Sequence, residues 1–564
     1  MLFLLFELYL CRMRKVRNIL ILVPVIAVGL IFMGAKVTDR NFEISKNLEI
    51  FHNVFREVDM LYVDTIDVEQ MVKSGIDAML SELDPYSVYY PEDKENDLKM
   101  MTTGKYAGIG ALIRQFPKRD YVVIEEPYEN MPALLSGVRA GDQILRIDGE
   151  SMKGKASSYV SDHLRGEPGT EFILTVRRPG VSDSIDIKIK RANIALPAVP
   201  YYGMWKDAGY IYLESFTENC SKDVRMALLE LKELGAKSII LDLRDNGGGL
   251  LNEAVDVLSL FIPKGTQVVQ TKGKTRMASS SYQTSRDPVD AEIPLVVLTN
   301  GNSASASEIV SGALQDLDRA VIIGARTYGK GLVQTTRPLP FNGTLKITTA
   351  KYYIPSGRCI QEIDYSKSKS VSKSAGKSDS LSHIFKTKSG REVRDGGGIC
   401  PDVICPIDTL PDIIYYLSTD QVLFDYLNEY CLSHSSIEPA ATFQISDSLY
   451  RSFKEYVCES EFEYTSRSSK ALKALRDIAR LEGLLAKSAS EFDSLEVRLN
   501  YDLENDLDQF KDDVIALLGT EIVARYYYQR GTIQYNLRDD AILDSAMTVL
   551  GDAARYAGIL EGKN

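Results

Sequence analysis

The chain lacks an excess of positive charge and has few cysteines and histidines, and the first two of these features exclude classes of function. The formal net charge is -12, which argues against a nucleic-acid-binding protein, because such proteins present a basic face. The seven cysteines are scattered, and Cys400 and Cys405 have neither a second pair nor a histidine cluster nearby. We therefore expect small buried residues rather than a zinc site or disulfide framework, although one bridge would fit an oxidising compartment. The four histidines are His52, His163, His383 and His434.

A long apolar run near the N-terminus, Ile19–Ala35, predicts export. The residues before it are basic: Arg12, Arg14, Lys15 and Arg17. This pattern is typical of a signal peptide or a spanning helix of about 20 residues, with a buried core helix as the alternative. We expect residues 1–36 to be a cytoplasmic tail and signal or anchor segment. The rest would lie in the cell envelope, on the periplasmic side, either anchored or released by cleavage. The stretch MRKVRN favours Met13 over Met1 as the natural start.

The remaining pattern predicts a multidomain α+β protein with four regions. Helical spacing over residues 37–100 predicts an N-terminal helical region, and alternating runs over residues 101–192 predict a small β-rich domain. Buried-type strands alternate with amphipathic helices over residues 193–414, which is typical of an α/β domain. Its serine- and lysine-rich residues 365–394 are predicted to be an exposed, mobile insertion. Residues 415–564 are predicted to be a helical domain.

The stretch GARTYGKGLVQ, residues 324–334, contains most of a phosphate-binding loop around Lys330. Such a loop needs a Ser or Thr after the lysine for magnesium and a following helix whose N-terminus binds the phosphates. Here Gly331 follows the lysine, and LVQTTRPLP is typical of a strand. The sequence therefore disfavours nucleotide hydrolysis.

The stretch SASASE, Ser303 to Glu308, lies between the apolar strand PLVVLTN and a predicted helix. A serine at such a junction presents its hydroxyl at the end of a sheet, where N–H groups of the helix start can stabilise an oxyanion. Helix capping explains the same serines equally well. From this stretch alone, the catalytic interpretation and the capping interpretation are equally well supported.

A nucleophilic serine needs a base, and no histidine lies in an apolar strand of the α/β region. A buried lysine can replace it, because burial lowers a lysine pKa toward the working pH. Lys330 suits this role, since it lies between two glycines after the strand RAVIIG. Gln334 is placed to hold its amine.

The stretch DLRDNGGG, residues 242–249, follows another buried strand, KSIILDL. Its glycines can present backbone N–H groups to a developing oxyanion, although a tight strand-to-helix turn is the simpler alternative. Three such features at the ends of α/β strands are more specific together than any one alone.

With these three motifs the chain resembles the C-terminal processing peptidases, the tail-specific serine proteases of bacteria and chloroplasts, from about residue 50 to residue 410. The serine and the lysine lie 25 residues apart, which is the family's spacing. The resemblance implies a ClpP/crotonase-like protease core with Ser305 as nucleophile, Lys330 as general base and Gln334 as its support. It implies no metal or cofactor.

The resemblance also implies an oxyanion hole. It would be formed by the N–H of Ala306 and of one loop glycine, for which Gly248 and Gly249 are the candidates. The chain departs from the family in the serine- and lysine-rich insertion and in residues 415–564, which lie outside the common core.

The resemblance identifies residues 101–192 as a PDZ domain. Its carboxylate-binding loop would be Gly108, Ile109, Gly110 and Ala111, in YAGIGALI. A PDZ groove takes a peptide as an added strand and binds its terminal carboxylate through loop N–H groups. A glycine hairpin alone is the alternative, but RAGDQILRIDG downstream is also PDZ-like.

Taken together, the sequence predicts an exported serine endopeptidase that works through an acyl-enzyme. Its expected partners are protein substrates with unstructured C-termini, and an adaptor protein, a homo-oligomer and the membrane are further candidates. The alternative is a catalytically inactive PDZ adaptor or scaffold that only binds chain ends. The intact serine, lysine and glutamine set argues against that alternative.

Overall fold

The structure is a computed structural model that describes residues 40–363, 365, 382–406, 410–499 and 502–563. The predicted signal or anchor segment, residues 1–36, lies outside them. Among the described residues no helix is both long and apolar enough to cross a membrane. The chain divides into two compact units, Met1–Glu82 and Leu83–Asn564.

The described part of the first unit is helical, in keeping with the spacing of its apolar residues. Residues 40–61 form α1 and Val68–Ser81 form α2. The Asp67 carboxylate accepts the N–H of Gln70 at 3.0 Å and so caps the start of α2.

The helical prediction for residues 37–100 is wrong at Val88–Tyr90, which form strand β1. β1 belongs to the second unit, where it pairs antiparallel with the strand Thr344–Tyr353. Before it, Pro85 lies in a turn in which the Asp84 carboxylate accepts the N–H of Tyr86 at 2.8 Å. The proline blocks a helix and the Val-Tyr-Tyr run favours a strand, so LDPYSVYY adds to a sheet instead.

The β-rich domain contains a main sheet in the order β3-β4-β5-β7-β8, with β6 beside β5, and a small sheet of β2 and β9. Its core contains fully buried residues such as Ile124, Val160 and Leu174. Strand β3 lies at the edge of the main sheet. The elements are α3 (Glu95–Thr103), β2 (Lys105–Gly108), β3 (Ala111–Arg114), β4 (Val123–Pro127), α4 (Pro132–Leu135), β5 (Gln143–Ile147), β6 (Glu150–Ser151), α5 (Ser157–Leu164), β7 (Glu171–Arg177), β8 (Ile185–Lys190) and β9 (Ala192–Ala195).

The α/β domain is built on a six-stranded sheet in the order β10-β11-β12-β15-β16-β21, parallel except for the β10–β11 pair. A second sheet has the order β1-β18-β13-β14, with β17 also paired to β18. The elements are β10 (Tyr201–Trp205), β11 (Ala208–Tyr212), α6 (Cys220–Glu233), β12 (Ser238–Asp242), α7 (Leu251–Leu258), β13 (Gln267–Gly273), β14 (Ser280–Gln283), β15 (Leu295–Thr299), α8 (Ala306–Asp316), β16 (Val321–Gly324), β17 (Leu332–Pro338), β18 (Thr344–Tyr353), β19 (Ile384–Lys386), β20 (Glu392–Arg394) and β21 (Val403–Ile404).

The described C-terminal part of the predicted insertion, residues 382–394, is mostly exposed, as expected, but it forms regular structure rather than a loop. β19 and β20 pair as an antiparallel hairpin. The Arg391 side chain is only 9% exposed and lies 2.8 Å from Asp318 and 2.6 Å from Asp402. These two ion pairs hold the hairpin on the α/β domain.

The C-terminal region is helical, as predicted, and it contacts both the α/β domain and the β-rich domain. Its last two helices cover one face of the six-stranded sheet, with Val549 packed against Ile240 and its neighbours. Its helix α10 contacts the β-rich domain, where Arg119 binds Asp425 and donates to Gln421 at 3.1 Å. The helices are α9 (Asp412–Thr419), α10 (Gln421–Ser433), α11 (Asp447–Glu459), α12 (Arg467–Leu481), α13 (Leu485–Arg498), α14 (Leu503–Gln509), α15 (Lys511–Asn536), α16 (Ala541–Gly551) and α17 (Ala553–Glu561).

The six-stranded sheet is therefore covered by helices on both faces. Alternate strand residues point to opposite faces. Ile239 and Leu241 face the core with α6, α7 and α8, whereas Ile240 faces α16 and α17. No disulfide joins the six cysteines that the structure describes.

Candidate active site

Three loops meet at the carboxyl edge of the six-stranded sheet. They follow β12, β15 and β16, which are adjacent and parallel, so the three sequence motifs end at the same place. Ser303 joins all three loops. Its hydroxyl donates to the carbonyl of Leu243 at 2.8 Å, and its carbonyl accepts the N–H of Tyr328 at 3.0 Å.

Ser305 lies immediately before α8 in a strained backbone conformation, with φ 56° and ψ -110°. Residues other than glycine rarely adopt such angles, and they persist only where the surroundings impose them. A sharp turn of this kind between a strand and a helix presents a serine hydroxyl at the edge of a sheet. The geometry therefore favours a functional role for Ser305 over a simple helix cap.

Glu308, in the first turn of α8, is completely buried and accepts four hydrogen bonds. The donors are the N–H groups of Ser305 (2.9 Å), Gly329 (2.7 Å) and Lys330 (2.9 Å) and the hydroxyl of Thr327 (2.6 Å). Burial raises the pKa of Glu308 to about 7, although the four donors lower it. One side chain thus fixes the backbone of Ser305 and that of Lys330.

Tyr352, on β18, makes a second connection between the same two residues. Its side chain is buried, and its hydroxyl lies 2.7 Å from the carbonyl of Lys330 and 3.1 Å from the carbonyl of Ser305. Burial raises the pKa of Tyr352 well above its ordinary value, so the phenol keeps its proton and donates. The backbone positions of Ser305 and Lys330 are therefore set by two independent side chains.

The half-buried side chain of Lys330 lies in an environment that favours the neutral amine. Burial, and after it the charge of Lys346, lower its pKa to about 8 against the opposite effects of Glu308 and Asp84. The Nζ atom lies 4.3 Å from the centre of the Tyr86 ring. A lysine with this pKa is partly neutral near pH 7, which a general base requires.

The reacting groups of Ser305 and Lys330 are not bonded to each other in this arrangement. Among the described residues no hydrogen bond joins Lys330 Nζ to Ser305 Oγ, and the amine faces the Tyr86 ring. Among the described residues the Gln334 side chain makes no hydrogen bond to the Lys330 amine either, and its Nε2 donates to Thr348 Oγ1 at 3.1 Å.

The glycine-rich loop after β12 lies directly against Ser305. A Cβ placed on Gly248 would be 2.8 Å from Ser305 Cβ and 3.0 Å from the N of Ala306. The N–H of Gly248 donates to Asn246 Oδ1 at 2.9 Å. The N–H groups of Ala306 and Gly249 donate to no acceptor within the described part of the chain. Of the two glycines predicted for the oxyanion hole, Gly248 therefore packs closely against Ser305, whereas Gly249 has an N–H group that is available to bind an oxyanion.

We expect Gly248→Ala to reduce peptide cleavage by about 100-fold, because the new Cβ displaces the loop from Ser305. Gly248 has φ +101°, and its Cβ would lie 2.7 Å from the carbonyl oxygen of Ala304. Steady-state cleavage of an unstructured protein measures the effect. Gly247→Ala is the matched control, since a Cβ there would meet nothing within 4 Å. Equal activities of the two variants would show that close packing at Gly248 does not matter.

The predicted carboxylate-binding loop, Gly108–Ala111, connects β2 to the edge strand β3. Gly110 has φ +71°, and a Cβ there would lie 2.5 Å from Met131 Cβ, so glycine is required. Burial raises the pKa of Tyr106, whereas the N–H groups of Gly110 and Ala111 are among the groups that lower it. The loop leads directly into the edge strand β3, and a PDZ groove pairs its peptide with a strand edge beside such a loop.

Sequence reasoning missed Glu308 and Tyr352 as parts of the site. Glu308 had a signal, because Ser305-x-x-Glu308 is a capping-box pattern. Tyr352 had none, since it lies 47 positions from Ser305 and meets it only through the sheet. Within the described residues no group of three or more His, Cys, Asp or Glu side chains is placed to hold a metal ion.

Family models match three parts of the chain. Residues 207–366 match peptidase family S41, and residues 123–178 match the PDZ domain. Residues 413–550 match a model described as "Probable PDZ-protease, C-terminal helical domain". The first match contains Ser305, Lys330 and the glycine-rich loop.

Curated relatives match the greater part of the chain. The chain is 38% identical to the carboxy-terminal-processing protease of Bartonella bacilliformis over 343 residues. These residues make up 60% of this chain and 78% of that protein. It is 37% identical over 347 residues to a probable CtpA-like serine protease of Staphylococcus aureus, covering 61% of this chain and 68% of that one. Among solved structures, a photosystem II D1 C-terminal processing protease is 27% identical with a TM-score of 0.34, covering 64% of this chain and 93% of that one.

Proposed function

The chain belongs to the carboxy-terminal-processing proteases of peptidase family S41, and from this premise we propose an exported endopeptidase with a Ser305–Lys330 dyad. It is a serine-type peptidase with a PDZ domain and a helical C-terminal domain. The proposed PDZ groove binds the C-terminal tail of a substrate protein, and Ser305 then cleaves the chain. Export is supported by the basic residues and apolar run before residue 36.

One observation carries this proposal: Glu308 and Tyr352 each bond to the backbone of both Ser305 and Lys330. The two residues come from loops after different strands, and the bonds fix their backbones beside one another. The lowered pKa of Lys330 supplies the second requirement, an amine that can accept a proton near neutral pH.

In the proposed reaction Ser305 Oγ attacks the peptide carbonyl carbon while its proton passes to the neutral amine of Lys330. The N–H groups of Ala306 and a loop glycine stabilise the oxyanion. The C–N bond then breaks as Lys330 gives the proton to the leaving amine, which leaves an ester on Ser305. Water attacks this ester, gives a proton to Lys330, and the serine leaves with that proton.

The reaction requires the Lys330 amine to turn from the Tyr86 ring, 4.3 Å away, toward Ser305. Catalytic hydrogen bonds often form only when substrate is bound. Substrate binding therefore completes the dyad in this proposal.

The proposed tail recognition predicts that cleavage depends on the substrate's terminal carboxylate. We expect the full chain to cleave an unstructured protein with an apolar tail about tenfold faster than the same protein with an amidated tail, because loop N–H groups bind the carboxylate. Mass spectrometry of the products measures the rate and identifies the new C-termini.

A chelator should leave the rate unchanged, and loss of activity in chelator would point to a different chemistry. Equal rates for the two tails would contradict carboxylate capture while leaving the dyad intact. Binding of the tail without any cleavage would instead favour the inactive adaptor.

A further inference from the structure

The glycine-rich loop carries an arginine that lies between two carboxylates from distant parts of the chain. Arg244 Nη2 lies 2.5 Å from Asp242 Oδ2, at the end of β12, and 2.6 Å from Asp540 Oδ2. Asp540 precedes α16 in the C-terminal helical domain and is 296 positions from Arg244. The contact therefore joins that domain to the loop beside Ser305.

Asp540 uses its two oxygens for two different tasks. Oδ1 accepts the N–H groups of Ile542 and Leu543, both at 3.0 Å, and so caps α16. Oδ2 binds Arg244. The helix is held in place independently of this ion pair, because its Val549 is completely buried against the sheet.

The three charged side chains are largely removed from water. Arg244 is 18% exposed, Asp242 1% and Asp540 12%. Burial alone would lower the pKa of Arg244, but the two carboxylates outweigh it and raise the pKa. Asp242 also accepts the hydroxyl of Tyr210 at 2.7 Å, so Arg244 shares that carboxylate. Asp242 accepts from Arg244 Nε through both of its oxygens, at 3.0 and 2.9 Å, and Asp540 adds a second carboxylate to the same guanidinium.

The loop that carries this arginine is bonded to the loop that carries the nucleophile. The carbonyl of Asn246 accepts the N–H of Ala304 at 3.0 Å and the hydroxyl of Ser307 at 2.8 Å. Gly248 then packs against Ser305 Cβ. A shift of the glycine-rich loop would therefore move the groups that face the reacting carbonyl.

We propose that Asp540 is a positioning residue for peptide hydrolysis at Ser305, acting through Arg244 to hold the glycine-rich loop in place. This inference rests on the proposed function. Asp540 lies outside residues 207–366, which match the peptidase, and inside residues 413–550, which match the C-terminal helical domain. The helical domain is thereby part of the catalytic unit.

The test is Asp540→Asn in the full chain. Asparagine keeps the oxygen that caps α16 but loses the charge that Asp540 places against Arg244. We expect kcat for an unstructured substrate to fall about tenfold while KM stays within about twofold, because tail binding is not affected. Asp544→Asn, on the exposed side of the same helix, is the control and should keep wild-type kcat. Asp540→Ser, which also keeps a capping oxygen, repeats the test if the first variant folds poorly.

A double-mutant cycle with Arg244→Gln separates positioning from general destabilisation. If the ion pair carries the effect, adding Asp540→Asn to Arg244→Gln causes no further loss of kcat. Additive losses, or an equal loss in Asp544→Asn, would overturn the proposal. Wild type and Ser305→Ala are assayed alongside. An inactive wild type would refute the proposed function, whereas a fully active Asp540→Asn beside an active wild type would refute only this inference.

Discussion

Replacing Lys330 by alanine should reduce cleavage of an unstructured protein by about 1,000-fold or more, and Ser305→Ala should do the same. Each change removes one member of a unit that moves a single proton, so the double variant should be hardly worse than either single one. Lys330→Arg should be equally inactive, because a guanidinium stays protonated and cannot act as a base. Circular dichroism checks that the variants are folded.

The wild-type pH profile tests the same assignment. Burial lowers the pKa of Lys330 to about 8, so the neutral fraction increases as the pH rises through that value. We expect kcat/KM to rise about tenfold per pH unit below pH 8 and to level off above it, since this ratio reports the free enzyme.

Lys346→Gln provides a control that moves the profile without removing the base. The charge of Lys346 lowers the pKa of Lys330, so its removal should raise that pKa and shift the profile to higher pH. An unshifted profile in this variant, or substantial activity in Lys330→Ala, would show that another group accepts the proton.

The sequence predicted the parts of this site that depend on local pattern. Apolar runs followed by small or glycine residues marked the strands β12, β15 and β16, and parallel strands must end at one edge. That rule brings Gly248, Ser305 and Lys330 together before any contact is known. The strained angles at Ser305 were not predictable, because they depend on bonds to Glu308 and Tyr352.

The features that sequence reasoning missed depend on contacts between distant residues. Val88–Tyr90 form a strand because they pair with β18. Arg391 holds the β19–β20 hairpin through ion pairs to Asp318 and Asp402. The Arg244–Asp540 ion pair also joins distant residues, and nothing in the local sequence around either residue indicates that the two meet. Helical spacing predicted the C-terminal helices but not which of them reaches the active-site loop.

Replacing Glu308 by alanine should lower the free energy of unfolding more than any other substitution considered above. It should also reduce cleavage by about 100-fold or more. The change leaves four donors without an acceptor, those of Thr327 and Gly329 buried and those of Ser305 and Lys330 partly buried. Each unsatisfied buried donor costs about 1–3 kcal/mol, and because neighbouring costs do not add fully we expect a total of about 4 kcal/mol. Urea unfolding followed by circular dichroism measures the loss.

Glu308→Gln separates the loss of charge from the loss of the acceptor. The amide oxygen still accepts from some of the four donors, but the amide NH2 faces the remaining ones. We therefore expect losses of stability and activity smaller than those of Glu308→Ala. Glu233→Gln, at an exposed carboxylate on α6, is the control and should change the free energy of unfolding by less than about 0.5 kcal/mol. If Glu308→Ala kept both wild-type stability and wild-type kcat, the loops of Ser305 and Lys330 would not depend on Glu308. Tyr352 would then be the connection that sets the distance between the serine and its base, since it alone also bonds to both backbones among the described residues.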